Sequence, residues 1–526
     1  MSADSKREHS QTRPSVAIVG AGPTAIYTLH ALVNEVTIPF DITIFEEQPT
    51  VGKGTPYRPG WNDPAMLSNI ASIEIPPIEE SLIEWLSRQT PERLVELDIE
   101  PFDLNERTFY PRVALGEFFF DQLQMLIARA LARGINVSVR TSCRVLDAIS
   151  SPAGMTLEVQ PRRGSLFEAH FDHVVLATGH QWPDEPEVRP GYFLSPWPAS
   201  ALARIAPQKI GIRGSSLSAI DAGVALAVAH GEFVEKADRL TYEPAPSTEE
   251  FRMTMMSRKG LLPEADFFFP IPYEPLSICT VEAMDAIVDD DGDRMLDEAY
   301  ALFRRELAEA DPEYAMSIDL QDLDIEDFGE RYFADRVASD PFAWAEQNLE
   351  EAQVNYERQF TVPWRYAILR MHEVMERIVP FLSQSDFKRF SKYLKPVFVD
   401  DYATVPHESI KRLLALHRAG KLSVIAVGED YRIDSHGSER GATLQLNGEK
   451  THFPVFIEAM GQRALTAKDF PFQSLLEQEI IRDVDVAERK GAPRGIAIGD
   501  DFRPVSDNIP DDQLFCLSLP FLMGRH

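Results

Sequence analysis

The sequence predicts an α/β fold with two parallel sheets, each entered through a small-residue turn, and a block of helices inserted late in the second. Three observations carry this. The first is Val16-Ala17-Ile18-Val19-Gly20-Ala21-Gly22-Pro23-Thr24-Ala25, an apolar run, a glycine turn and the start of a helical pattern. The second is a related run, Lys209-Ile210-Gly211-Ile212-Arg213-Gly214-Ser215-Ser216-Leu217-Ser218. The third is the stretch 281–390, which is helical in pattern and too long for a loop.

A strand that feeds a helix through such a turn aims the helix's first N–H groups at a pyrophosphate. Two copies predict two Rossmann-like dinucleotide-binding domains. A chain that holds two dinucleotides usually passes a hydride between them.

In the first copy, Gly20 permits the tight turn and Gly22 the close approach of phosphate, with Pro23 and Thr24 opening the helix. Residues 25–33 continue as a buried helix. The strand Asp41-Ile42-Thr43-Ile44-Phe45 follows and ends in Glu46, a carboxylate suited to an adenosine ribose and hostile to a 2′-phosphate. The next loop, Val51-Gly52-Lys53-Gly54-Thr55-Pro56-Tyr57, lacks the Walker spacing. A helix near 82–88, an amphipathic helix over 115–133 and strands at 137–139 and 157–159 come next.

The run Asp172-His173-Val174-Val175-Leu176-Ala177-Thr178-Gly179-His180 reads as a buried strand ending in an A-T-G turn. A related turn, Phe456-Ile457-Glu458-Ala459-Met460-Gly461, recurs late in the chain. The pair of turns predicts a discontinuous first domain, 14–200 and 392–526, around a second nucleotide domain at 201–280 and a helical insertion at 281–391. In the second domain, Gly214, Ser215, Ser216 and Ser218 open the helix 219–230. The strand Phe251-Arg252-Met253-Thr254-Met255-Met256 leads to Arg258, a basic residue where a 2′-phosphate would sit. This favours NADPH, with NADH possible.

The chain has 526 residues, 44% hydrophobic and 26% charged, with a formal net charge of −31. That balance repels nucleic acid and anionic membrane surfaces. No apolar stretch approaches the length of a membrane span, and residues 1–13 read as a disordered polar lead, so a cytoplasmic protein is expected. Cys143, Cys279 and Cys516 form no C-x-x-C pair, which argues against a dithiol redox centre. The acidic run Asp289-Asp290-Asp291-Gly292-Asp293 misplaces the glycine of a calcium loop and reads as a solvated turn. No histidine cluster has metal-ligand spacing, and no metal is expected. Gly214-Ser215-Ser216 lacks the G-x-S-x-G form of a nucleophile elbow.

Taken together, the fingerprints, Asn69-Ile70-Ala71-Ser72-Ile73-Glu74-Ile75-Pro76-Pro77, Leu262-Pro263-Glu264-Ala265-Asp266, Pro270-Ile271-Pro272-Tyr273-Glu274-Pro275 and Thr361-Val362-Pro363-Trp364-Arg365-Tyr366 make the chain resemble a known group. It is similar to the bacterial FAD-NAD(P)-binding flavoproteins, a family that includes an aspartate N-monooxygenase, and more similar still to that family's enterobacterial-type members. The resemblance implies FAD at Gly20, Gly22 and Glu46, with Asn69 and Arg112 near the flavin or its phosphates and Thr178, Gly179 and Gly461 in the turns. It implies a nicotinamide cofactor at Gly214, Ser215, Ser216 and Arg258. Residues 172–180 also resemble the D-x-x-x-(L/F)-A-T-G-Y motif of N-hydroxylating monooxygenases, with His180 in place of the tyrosine.

The expected function is an FAD-dependent NAD(P)H oxidoreductase, as a monooxygenase using molecular oxygen on a small amine or amino acid. Arg365 is a candidate clamp for a substrate carboxylate, or a packing residue of the insertion. His180 is a candidate for proton transfer, or a residue that shapes the turn. The alternatives are an NAD(P)H dehydrogenase or oxidase without oxygen insertion, and a non-catalytic FAD/NAD(P)-binding protein. One departure from the fold is expected at the end of the chain. The last strand, 514–519, is followed by no terminal helix, and Gly499-Asp500 belongs to the strand before it.

Overall fold

The computed structural model describes residues 13–522, apart from 183–184, 238, 291, 293, 438, 462–464, 485–494 and 511. Most of the polar lead, two acids of the run at 289–293 and residues 523–526 lie outside the described residues.

The first half of the chain supplies β1 (Ser15–Val19), β2 (Asp41–Phe45), β3 (Asn136–Arg140), β4 (Cys143–Ser151), β5 (Gly154–Pro161), β6 (Phe167–Phe171), β7 (His173–Leu176), β8 (Glu187–Arg189) and β9 (Tyr192–Phe193). The second nucleotide segment supplies β10 (Lys209–Arg213), β11 (Gly231–Lys236), β12 (Arg239–Pro244) and β13 (Arg252–Ser257). After the insertion come β14 (Leu422–Ala426), β15 (Tyr431–Asp434), β16 (Ala442–Leu446), β17 (Glu449–Phe453), β18 (Val455–Glu458) and β19 (Leu514–Cys516).

Two main sheets form. The first runs β19-β7-β1-β2-β3, parallel throughout. The second runs β14-β13-β10-β18-β9-β8, parallel as far as β9, with β8 antiparallel at the edge. Each has a three-stranded antiparallel meander beside it, β4-β5-β6 for the first and β15-β16-β17 for the second. Strands buried on both faces read as continuous apolar runs, and that is why β1, β7 and β18 were legible. The helix Pro23–Glu35 buries Ala25, Ile26, Leu29 and Val33, a single face at helical spacing, against the first sheet.

The expected domain limits need correction. Residues 422–458 fall within the span expected for the first domain, yet β14 pairs with β13 and β18 with β10 in the second sheet. β8 and β9, from the segment 14–200, join that sheet too. Of the strands after the insertion, β19 returns to the first sheet, beside β7. The late Ala-Met-Gly turn is therefore the second domain's counterpart of the Ala-Thr-Gly turn, not a re-entry into the first.

The end of the chain also differs. A helical turn, Leu519–Leu522, follows β19. Gly499-Asp500 lies in a tight hairpin, with Gly499 N–H donating to Arg503 O at 2.8 Å, instead of a preceding strand. Phe502 O in that hairpin accepts from Cys516 N–H at 2.9 Å, so the loop is tied to β19.

The insertion is helical from Val281–Asp290 through Lys395–Tyr402 and has its own core, centred on Tyr300, Phe303, Phe328 and Phe398. Among the described residues, no helix is long and apolar enough to cross a membrane.

Candidate functional site

The two glycine turns are built alike, bond for bond. Gly20 N–H donates to Phe45 O and Gly214 N–H to Met256 O, both at 2.8 Å. Ala177 N–H donates to Val19 O and Ala459 N–H to Arg213 O, again at 2.8 Å. Gly20 (φ +104°) and Gly214 (φ +132°) adopt conformations that side chains rarely take. A Cβ on Gly20 would lie 2.3 Å from Ala177 O, and one on Gly214 2.4 Å from Ala459 O. Each Ala-x-Gly turn thus presses its alanine carbonyl against the glycine that opens the neighbouring helix.

At the first turn, Gly22 stands at the N-cap of Pro23–Glu35, with no side-chain cap and no acid in the first turn. The free N–H groups and the helix dipole there suit an anion, worth about 0.3–1 kcal/mol from the dipole. The loop dismissed for lacking Walker spacing lies directly over this point. Gly52 N–H donates to Ala21 O at 2.8 Å, and a Cβ on Gly22 would come within 3.2 Å of Gly54 Cα. Glu46 stands beside the same turn. Its Oε2 accepts from Ala21 N–H at 3.0 Å and its Oε1 from Gln48 N–H at 2.8 Å. Burial raises its carboxyl above the ordinary range while those two N–H groups pull it down. Each oxygen keeps a lone pair for a ribose hydroxyl. This capless, side-chain-free cradle with a carboxylate at its rim fits the adenosine diphosphate half of FAD.

The other expected first-site residues are dispersed. Thr24 is exposed on the first helical turn, and Asn69 is exposed on its loop. Thr178 is tied to the end of the last strand, with Thr178 N–H donating to Ser518 Oγ at 3.2 Å and the two hydroxyls 2.7 Å apart. Gly179 and Gly461 close the two turns at φ +67° and +81°. Arg112 opens the long helix Arg112–Ala132 and faces the other domain. Its Nη1 is 2.8 Å from Asp221 Oδ2, and its Nε donates to Leu67 O at 2.9 Å. Asp221 is buried on the helix Leu217–His230. Both line a small interdomain cavity with Ser68, Leu217, Pro406 and Arg412.

At the second turn, Ser216 is the N-cap of Leu217–His230, again with neither side-chain cap nor first-turn acid. Ser218 is half-buried within that first turn. Ser215 is buried, and its hydroxyl donates to Leu261 O at 2.6 Å. Because Gly214 bonds to Met256 as Gly20 bonds to Phe45, the place of Glu46 falls to Ser257. The acid is missing there, and Arg258 and Lys259 follow. Arg258 is exposed, 3.9 Å from Glu429. Beside the turn, Arg213 bonds Tyr431 and pairs with Glu458, which also accepts from Tyr192.

Of the two catalytic candidates, Arg365 is buried and already engaged. Its guanidinium pairs with Glu264 and lies 4.6 Å over the Trp364 ring. Glu264 also faces Arg336 at 3.6 Å and accepts from Trp344 Nε1 at 2.9 Å. Against burial, which opposes ionisation, Arg365 and Arg336 hold the Glu264 carboxyl at about 2. These contacts engage the Arg365 guanidinium within the protein. His180 stands beside Trp182, which in turn meets Trp197 at 4.9 Å. Burial lowers its pKa, so the ring is neutral at pH 7, and its buried Nδ1 has no hydrogen-bond partner among the described residues.

Sequence reasoning missed Gly54, Ser518 and Asp221. Gly54 had a signal in the spacing of Gly52 and Gly54; Ser518 and Asp221 act through partners hundreds or scores of residues away and had none.

Residues 17–181 match the family model described as FAD-NAD(P)-binding, and residues 280–402 match the YdhS-like middle domain. The uncharacterized protein YdhS of Escherichia coli (strain K12) is 44% identical over 464 residues, spanning 88% of this chain and 86% of that one. The chain belongs to the YdhS family. Its first domain is the FAD-NAD(P)-binding domain of that family, and its insertion, extended through Lys395–Tyr402, is the YdhS middle domain. Among solved structures, the ornithine N-hydroxylase KtzI of Kutzneria sp. 744 aligns at TM-score 0.49 and 13% identity, over 98% of this chain and 94% of its own. The bacillithiol disulfide reductase Bdr of Bacillus cereus aligns at TM-score 0.39 and 12% identity, over 97% and 91%.

Proposed function

We propose that this YdhS-family protein is an NADPH-dependent flavin monooxygenase acting on a small amine or amino acid. The observation that carries the oxidoreductase part is the pair of matched turns, one ending its neighbouring strand in Glu46 and the other in Ser257-Arg258-Lys259. Such a pair suits one adenosine without and one with a 2′-phosphate. Bound FAD would supply hydride acceptance and electron transfer to oxygen. The chain's part is to hold the two cofactors and exclude water.

Cys143, Cys279 and Cys516 are free in the structure, and burial raises the thiols of Cys279 and Cys516, to about 12 and about 11. Protonated thiols are poor redox partners, which supports oxygen over a protein disulfide as the electron acceptor.

The test is an anaerobic absorbance titration with NADPH, followed by air and product analysis with an amine and amino-acid set. Flavin bleaching, recovery in air and a hydroxylated amine are expected. Peroxide with no hydroxylated product would replace this reading with an NADPH oxidase. A protein that never takes up FAD would remove both.

A further inference from the structure

The second glycine turn is held from outside its own domain. Ser215 Oγ donates to Leu261 O at 2.6 Å, and the next carbonyl, Leu262 O, accepts from Arg336 Nη2 at 2.8 Å. Arg336 belongs to the inserted helix Ile325–Ala338 and is 4% exposed. Its Nη1 donates to Asp400 Oδ2 at 2.5 Å, and its Nε lies 3.6 Å from Glu264 Oε1. A second link runs parallel to the first. Lys259, which follows the end of β13, places Nζ 4.7 Å from the centre of the Phe333 ring, and Arg336 stacks near the same ring at 5.9 Å. The phosphate turn and the adjoining strand end therefore both rest on one inserted helix.

We propose that Arg336 is a positioning residue for the second nucleotide site, acting through the adjacent carbonyls of Leu262 and Leu261 and through Ser215. This rests on reading the turn at 214–216 as the NADP(H) site. An anion at a helix N-terminus is bound by backbone N–H groups, so affinity depends on how firmly the turn is aimed. The Ser215 hydroxyl fixes the turn to Leu261, and Arg336 fixes the next carbonyl to Asp400, a carboxylate of the insertion, beside Glu264 of the second domain. A planar guanidinium can hold a carbonyl and a carboxylate at once along separate N–H bonds; an ammonium cannot reproduce that fork. The middle domain thereby becomes part of the nucleotide site without touching the nucleotide.

The test measures NADP+ binding by titration calorimetry on FAD-loaded wild type, Arg336→Lys, Ser215→Ala and the double variant. Arg336→Lys is expected to weaken NADP+ about tenfold with FAD content unchanged. The double variant is expected to bind no more weakly than the worse single one, since both act through one chain of contacts. Wild-type affinity in Arg336→Lys, or losses that multiply in the double variant, would overturn the proposal. Hydrogen exchange on the wild type gives an independent readout. NADP+ should slow exchange in 325–338 as well as in 209–230, and slowing confined to 209–230 counts against it. A wild type that binds no NADP+ by either method would overturn the reading of the turn itself, and this inference with it.

Discussion

Arg112 and Asp221 form an ion pair at 2.8 Å that crosses from the first domain to the helix behind the second glycine turn. The Arg112 side chain is 11% exposed and that of Asp221 9%. Removing one member of such a pair strands the other, at a cost of about 3–5 kcal/mol. Asp221→Ala is therefore expected to lower the urea midpoint substantially, and Arg112→Met/Asp221→Leu to recover part of the loss. An unchanged midpoint in Asp221→Ala would show that the pair is not desolvated in solution.

The matched glycines give a separable pair of variants. Gly20→Ala should yield a protein purified without flavin, because its Cβ meets the Ala177 carbonyl. Gly214→Ala should retain FAD and lose NADP+ binding. Flavin absorbance and NADP+ titration check the two, and loss of both cofactors in both variants would indicate general misfolding.

Choice of nicotinamide cofactor is expected to follow Ser257 and Arg258. Arg258→Ala should raise the KM for NADPH about tenfold and leave that for NADH nearly unchanged, since a guanidinium–phosphate contact is charge-assisted. Ser257→Glu, which restores the acid found at Glu46, should shift preference further toward NADH. Equal effects on both cofactors would place the 2′-phosphate elsewhere.

Arg365→Ala should behave as a stability variant. Leaving Glu264 buried beside Arg336 alone costs roughly 3 kcal/mol or more. The rate of flavin reduction by NADPH in the protein that remains folded should be unchanged. A rise in substrate KM with stability intact would return Arg365 to the substrate site.

Asp266 makes folding pH-dependent. It is buried, accepts from Tyr356 Oη and from Thr404 Oγ1 at 3.2 Å, and faces Glu74 and Arg107. Burial raises its carboxyl to about 7 despite those donors. A folded value above the unfolded one means its contribution is complete below about pH 4 and is lost as pH rises through about 7. Between pH 5 and 7 the loss is about 2 kcal/mol. Asp266→Asn should flatten the pH dependence of the urea midpoint over that range; an identical slope would refute the assignment.

Local signals made much of this molecule legible. Continuous apolar strands and the glycine turns marked β1, β2, β7, β10 and β13, along with the helices behind the turns, because each is decided by neighbours in sequence. Sheet membership was harder to read. Nothing in Val455-Phe456-Ile457 specifies whether it pairs with β7 or β10, and the resemblance of its turn to Ala177-Thr178-Gly179 pointed to the wrong sheet. Arg365 shows the same limit at the level of a site. Its residue type suits a carboxylate, but the carboxylate it meets is Glu264, 101 residues away in sequence, and only tertiary structure brings them together.

The order of strands in the first sheet carries a consequence for biosynthesis. β7 has β1 on one side and β19 on the other, and β19 leaves the ribosome after the whole second domain and insertion. Until then one edge of the sheet is bare, with Leu176 O awaiting Leu517 N–H and Thr178 awaiting Ser518. Non-local pairing of this kind is slow, and an open apolar edge invites association with other chains. Flavin capture is therefore expected late in synthesis, after release of the final strand, and nascent chains stalled before residue 514 should be the aggregation-prone and chaperone-bound species.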